Sequence, residues 1–257
     1  MPAKPGTIEQ KVQKLRELEA RATAKQRAEY DYRFDVSWIH HDCALEGVVY
    51  APTELDAALH ESVASDSPLA PAHDEIRQFQ AALRLIRRLS EDRKAAISLD
   101  TIKAIYYTLA PDEEDQKGPP VYRKDMPVQR AYFHDIDTPD KIAGRMRALL
   151  QWLSSEDAKR TMHPTRIATK AHYEFLHIYP FAKHNGKVAR LLMNLLLMRA
   201  GFPPAILHST DRHRYYEALK TSYDAVAGLT NEALENGVDS AARYWRRWLG
   251  IEDESAD

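Results

Sequence analysis

The sequence predicts an all-α protein, and two observations carry that expectation. Glycine is scarce, nine residues in 257, and apolar side chains recur three and four positions apart along most of the chain, the spacing that lines one face of a helix. The elements follow in order. Thr7 and Gln10 form a capping box ahead of Ile8, Val12, Leu15, Leu18 and Ala22, the pattern of an amphipathic first helix. Its remaining faces are charged, which suits a packed arm better than a dimer-forming coil. Residues 64–73 form a connection rich in Pro, Ser and Ala. Asp74 is then expected to cap a helix carrying Ile76, Phe79, Leu83 and Ile86, and Asp100 one carrying Ile102, Ile105 and Leu109.

Residues 111–128 are rich in proline and charge. They are expected to form a surface loop with a short hairpin rather than a helix. Thr138-Pro139 opens the next helix, with Ile142, Met146, Leu149, Leu150 and Leu153 as its core stripe. His163-Pro164 opens another that runs to about Tyr179. The stretch from Gly186 to Ala200 is apolar nearly all round, the mark of a buried central helix. Gly201 closes it, and Pro203-Pro204 prevent its continuation. Two further helices are expected over 211–227 and 239–249, with a frayed tail beyond. As domains, this gives a helical region at 1–98, a core at 99–230 and a final helix with its tail at 231–257.

Composition narrows the function classes. Lys plus Arg number 36 and Asp plus Glu 38, so no bulk positive charge supports binding to nucleic acid. The longest apolar run, Leu191–Met198 broken by Asn194, falls well below the roughly 18 to 20 residues of a membrane span. The start of the sequence has no apolar segment of the secretory kind. The only cysteine is Cys43, so no intramolecular disulfide forms, and the expected compartment is a reducing cytoplasm.

The chemistry concentrates in Tyr179-Pro180-Phe181-Ala182-Lys183-His184-Asn185-Gly186-Lys187, a polar loop that runs into the central helix. The free N–H groups and the dipole of a helix start favour an anion. Lys183, Lys187 and Arg190 add positive charge, and Lys187 and Arg190 share one helix face. A phosphate or carboxylate ligand is therefore expected at Asn185, Gly186, Lys187 and Arg190. Glu174 and His177 make one E-x-x-H pair, but a second copy is absent, so no metal site is expected.

Anchored on Phe181, Asn185, Gly186 and Arg190, the loop resembles the motif of the Fic (Fido) family, H-x-F-x-[D/E]-G-N-[G/K]-R-x-x-R. The resemblance extends over residues 30–230. It includes Tyr122-Arg123, similar to the family's target-positioning flap, and the stretch at 212–220, similar to the helix after the motif. It implies a Fic-like helical bundle with a β-hairpin flap and an N-terminal extension. It also implies a nucleotide, ATP or another, as substrate and a protein hydroxyl as target of AMP transfer.

The departures from that motif bear on the chemistry. The family's base, a histidine, is Tyr179 here, and a phenol of pKa about 10 is a poor base at neutral pH. The acidic magnesium ligand is Lys183, whose ammonium cannot hold a divalent cation, so magnesium dependence is in doubt. His184 stands for a glycine and Lys187 for an arginine. His177 lies two positions from Tyr179, a rotation of about 200° on a helix, and is expected to face away from the loop.

Residues 42–47, Asp-Cys-Ala-Leu-Glu-Gly, are similar to the family's inhibitory motif [S/T]-x-x-x-E-[G/N], with Asp42 where Ser or Thr is usual. Carried over, Glu46 is the inhibitory residue, paired with Arg190. Three functions stay open: a Fic-type nucleotidyl transferase; an inactive Fic-fold protein that binds a nucleotide or a partner; and a repurposed enzyme. In the last, Tyr179, Lys183 and His184 would form a new catalytic set acting on a small carboxylate or phosphate substrate. A homodimer is compatible with each.

Overall fold

The structure, a computed structural model, describes residues 6–60, 68–114, 122–128 and 134–251. It is all-α, and among the described residues there is no strand. In chain order the helices are α1 (Ile8–Arg21), α2 (Ala24–Leu45), α3 (Pro52–His60), α4 (Ala70–Glu91), α5 (Leu99–Leu109) and α6 (Pro111–Glu114). There follow α7 (Pro139–Ser154), α8 (Glu156–Thr161), α9 (Pro164–Ile178), α10 (Asn185–Arg199), α11 (Arg212–Thr221) and α12 (Tyr223–Trp248).

α10 is the axis of the molecule. It packs on α9, α4 and α5, and Val188, Leu191, Leu192 and Leu195 are fully buried among them. An apolar stripe on every side leaves this helix no solvent face, which is why its neighbours wrap it. Its end is closed by Gly201 at φ 88°, with Phe202 N donating to Leu197 O at 2.9 Å. Only a residue without a Cβ takes that left-handed turn at no cost. Asn194, buried inside the helix, donates to Ala205 O (3.3 Å) and accepts from Ala205 N (2.8 Å), so the chain after α10 is tied back along it. A second apolar cluster joins Val12 and Leu15 of α1 to Leu234, Val238 and Trp245 of α12. The first helix is thus a packed arm.

Several expectations need correction. α4 starts at Ala70, not Asp74, because Pro71 fits a first helical turn that needs no N–H. α5 is capped by Ser98, whose hydroxyl accepts from Thr101 N at 3.1 Å; Asp100 lies in the first turn instead. Residues 111–114 are helical, whereas 115–121, part of the expected hairpin, lie outside the described residues, as does the tail from 252. The last two helices are not separated by a gap at 228–238. Ser222 caps α12, accepting from Ala225 N at 3.2 Å. The helix then runs unbroken past Gly228 and Gly237 because Leu229, Leu234 and Val238 are buried. No helix among the described residues is long and apolar enough to cross a membrane.

Candidate anion site at the start of the central helix

The loop between α9 and α10 is built by two backbone reversals and two side-chain clamps. Tyr179 ends α9 at φ 50° and His184 precedes α10 at φ 60°, both left-handed. Between them Phe181 is buried and stacks on Tyr106, ring centroids 3.9 Å apart. The Asn185 amide accepts from Phe181 N at 2.9 Å and donates to Phe181 O at 2.7 Å, holding the loop closed. Arg123 is the second clamp. Its guanidinium donates to Tyr179 O (2.7 Å) and Asp125 O (3.1 Å) and also bonds Asp137 O. Its own N–H donates to Pro180 O at 2.9 Å. The carbonyls at the end of α9 lack helical partners, and Arg123 supplies donors for them. This expected flap residue is therefore turned inward and buried, and Tyr122 beside it packs half-buried toward Phe181.

Beyond the clamp lies the first turn of α10, where an anion is expected, and a carboxylate of the chain itself stands there. A Cβ built on Gly186 would stand 2.1 Å from Oε1 of Glu46 and 2.9 Å from Nη1 of Arg190. The Glu46 carboxylate thus lies against the first turn of α10, in the space a side chain at 186 would need. It accepts from Arg190 Nη2 at 2.6 Å, the pairing the resemblance implies. Glu46 is held there by its helix end: Arg212 Nε and Tyr216 OH both donate to Leu45 O, at 2.9 and 3.1 Å. Gly47 at φ 94° turns the chain away.

Asp42 is the residue that sequence reasoning missed. Its two oxygens accept from Arg190 Nε at 2.9 Å and Nη2 at 2.6 Å, a buried fork. Asp42 and Arg190 side chains are each 3% exposed. Burial pushes the Asp42 carboxyl up against the pull of Arg190. Burial also works against the charge of Arg190, but the two carboxylates hold its pKa well above the ordinary value. Nη1 of Arg190 is buried without a hydrogen-bond partner. The signal was present in the sequence, as an Asp where a hydroxyl residue was expected.

The other two cations of the loop are engaged as well. Lys187 is buried and bonds Glu75 of α4, which also accepts from Tyr50 OH at 2.8 Å. Burial alone would raise the Glu75 carboxyl; Lys187 and Tyr50 outweigh it and hold it below the usual range. Lys183 bonds Asp112 of α6 at 2.9 and 3.1 Å, with Glu113 at 3.6 Å. Three cations thus face five carboxylates, of which Glu75, Asp112 and Glu113 carry no signal in the local spacing around the loop. His184 is held neutral, its pKa pushed down to about 4 by burial and by Lys187 and Lys183.

The remaining candidates fall into two places. The Tyr179 ring lies 6.5 Å from that of His134. His177 bonds Tyr173 O through Nδ1 at 2.9 Å and packs on Tyr173 and His134. His172 is buried, its Nε2 2.8 Å from Tyr215 OH. Glu174 bonds Arg145 at 3.1 Å. Among the described residues no group of three or more His, Cys, Asp or Glu is placed to hold a metal ion.

These features have counterparts in known proteins. The Fic/DOC family model matches residues 96–197. The chain is 31% identical over 217 residues to a protein adenylyltransferase Fic of Nematostella vectensis, covering 82% of this chain and 48% of that protein. It is 31% identical over 187 residues to the one of Culex quinquefasciatus, covering 73% and 37%. The chain therefore spans about half or less of the length of these curated relatives. Among solved structures it resembles a Fic domain containing signaling protein from Bacteroides thetaiotaomicron (TM-score 0.77, 20% identity, 97% of this chain and 100% of that one). It also resembles Fic-1 from C. elegans (TM-score 0.69, 23% identity, 95% and 71%). With the helical bundle, the loop at the start of α10 and these relatives in agreement, the chain belongs to the Fic/DOC family.

Proposed function

We propose that this chain binds a nucleoside triphosphate at the start of α10, in a self-inhibited state, for nucleotidyl transfer of the Fic kind to a protein hydroxyl. The observation that carries this reading is the Glu46 carboxylate lying against Gly186 and bonded to Arg190. A carboxylate in that niche marks it as a seat for an oxyanion. A terminal phosphate would take the place of Glu46 and gain the unpartnered Nη1 of Arg190. Asn185 acts through the loop it clamps, and Lys187 through the buried pair that fixes the face of α10.

The transfer step is constrained by two residues. The target hydroxyl must attack the α-phosphorus, release pyrophosphate and lose its proton. Tyr179 stands where the family's base would be, and a phenol accepts a proton poorly at neutral pH. Lys183 stands where the family's metal ligand would be. An ammonium does not fit a divalent cation, and this one is already bonded to Asp112. No step here runs through a protein-held metal.

A binding protein without transfer is the second reading, favoured by Tyr179. The repurposed enzyme has less support, since Lys183 is paired with Asp112 and Glu113. Incubation with ATP labelled on its α-phosphate, using Glu46→Gly and a lysate as target source, tests transfer. Label that appears on protein and vanishes with Arg190→Ala supports it. ATP binding without label moves the conclusion to the binding reading. No binding by the Glu46→Gly protein overturns both.

A further inference from the structure

Asp42 does something the Glu46–Arg190 pair does not require. A guanidinium offers two bidentate edges, Nε with Nη2 and Nη1 with Nη2. Asp42 fills the first with bonds of 2.9 and 2.6 Å. The second edge faces Gly186, with Nη2 given to Glu46 and Nη1 unpartnered. The two carboxylates differ in how free they are to leave. The Glu46 side chain is 30% exposed at a helix end, whereas Asp42 is 3% exposed and lies inside α2. A ligand can therefore displace Glu46, but Asp42 stays beside Arg190 whether the seat is filled or empty.

We propose that Asp42 is a permanent counter-ion to Arg190 that sets how much negative charge a ligand in the seat can carry. This rests on the nucleotide reading above and deepens it. Around the loop, Lys183, Lys187 and Arg190 already face Asp112, Glu113, Glu75, Asp42 and Glu46. Removing Glu46 leaves four carboxylates against these three cations, with Arg212 at the Leu45 carbonyl as a fourth, so an incoming polyphosphate meets little net positive charge beyond the helix start itself. Asp42 is the closest fixed negative charge to the arriving oxygens, because it shares a guanidinium with them. It keeps the open edge of Arg190 aimed at Gly186 while discouraging the most highly charged anions. The seat consequently favours phosphoanhydrides that carry less net charge, either through a bound cation of their own or through esterification, over free triphosphate.

Titration calorimetry with inorganic phosphate, pyrophosphate and tripolyphosphate, without divalent cations, tests this on the Glu46→Gly protein with and without Asp42→Asn. The expected result is tighter binding that grows with ligand charge, about tenfold or more for tripolyphosphate and least for phosphate, the scaling of a Coulombic repulsion removed. A purely structural role predicts an equal change for all three ligands or a general weakening, and either result overturns the proposal. If that double variant does not fold, Asp42→Ser in the same Glu46→Gly background carries the comparison, since a hydroxyl keeps an acceptor for Arg190 without the charge. Failure of ATP with magnesium to bind Glu46→Gly sinks the nucleotide reading itself. Binding there with a charge ladder unmoved by Asp42→Asn sinks only this inference.

Discussion

At the residue scale, the backbone and the charge of position 184 can be separated. His184 sits at φ 60°, a region where a Cβ is strained and glycine is not. His184→Gly is expected to stabilise the protein by about 0.5–1 kcal/mol at pH 7 if the loop keeps its shape, read as a higher Tm. The same variant should flatten the pH dependence. An unfolded histidine titrates at about 6.5, whereas folded His184 does so at about 4. Its contribution to stability is therefore fully present above about pH 6.5 and is lost as pH falls toward 4. His41, also pushed down to about 4 by burial and its neighbours His208 and His40, adds a loss of the same sign. Thermal melts from pH 7 to 4.5 should show wild type falling more steeply than His184→Gly; parallel curves would contradict the assignment. For chemistry, Tyr179→His in the Glu46→Gly background is expected to raise label transfer from ATP about a hundredfold, the lower end of general-base effects. An unchanged rate would show that proton removal does not limit the reaction.

At the element scale, the loop and α10 act as one unit. Phe181→Ala would empty a buried site stacked on Tyr106 and should cost about 3–5 kcal/mol, measured by urea unfolding. A loss below about 1 kcal/mol would mean the loop does not lean on α5. Ser222→Ala removes the cap at the head of α12 and should cost about 1 kcal/mol. Legibility in the sequence differs between these elements for physical reasons. α10 was legible because its apolar residues run all round and Gly201 marks its end. α12 was misread as the later of two segments because Gly228 and Gly237 lower local helix propensity. Burial of Leu229, Leu234 and Val238 in a helix that packs on α1, α9 and α11 overrides that local preference. The cap expected at Asp100 falls late because an acidic residue also suits the first helical turn, where Asp100 lies; the one expected at Asp74 falls inside α4 because Pro71 lets the helix open earlier. Arg123 was read as a flap residue because its role depends on the carbonyls of α9, some 55 positions away.

At the scale of the whole molecule, the site is a meeting of distant segments. α2 contributes Asp42 and, at its C-cap, Glu46; α4 contributes Glu75, and α6 contributes Asp112 and Glu113; α10 and its loop supply the cations. The identity of the cations and of Glu46 was legible in sequence, because motif spacing carries it. The carboxylates at 75, 112 and 113 were not, since only tertiary packing brings them to the loop. Their number changes the expected behaviour of the seat. Read alone, the loop is a cluster of three positive charges; in the fold these face five carboxylates, and on the proposed reading the loop takes an anion as Glu46 leaves. The central claim is that Glu46 fills the place a nucleotide phosphate would take. Titration calorimetry of ATP into wild type and Glu46→Gly tests it most directly. The account predicts ATP binding to Glu46→Gly at least tenfold tighter than to wild type, lost again in Glu46→Gly with Arg190→Ala. Equal affinity in wild type and Glu46→Gly, or binding indifferent to Arg190, would contradict it.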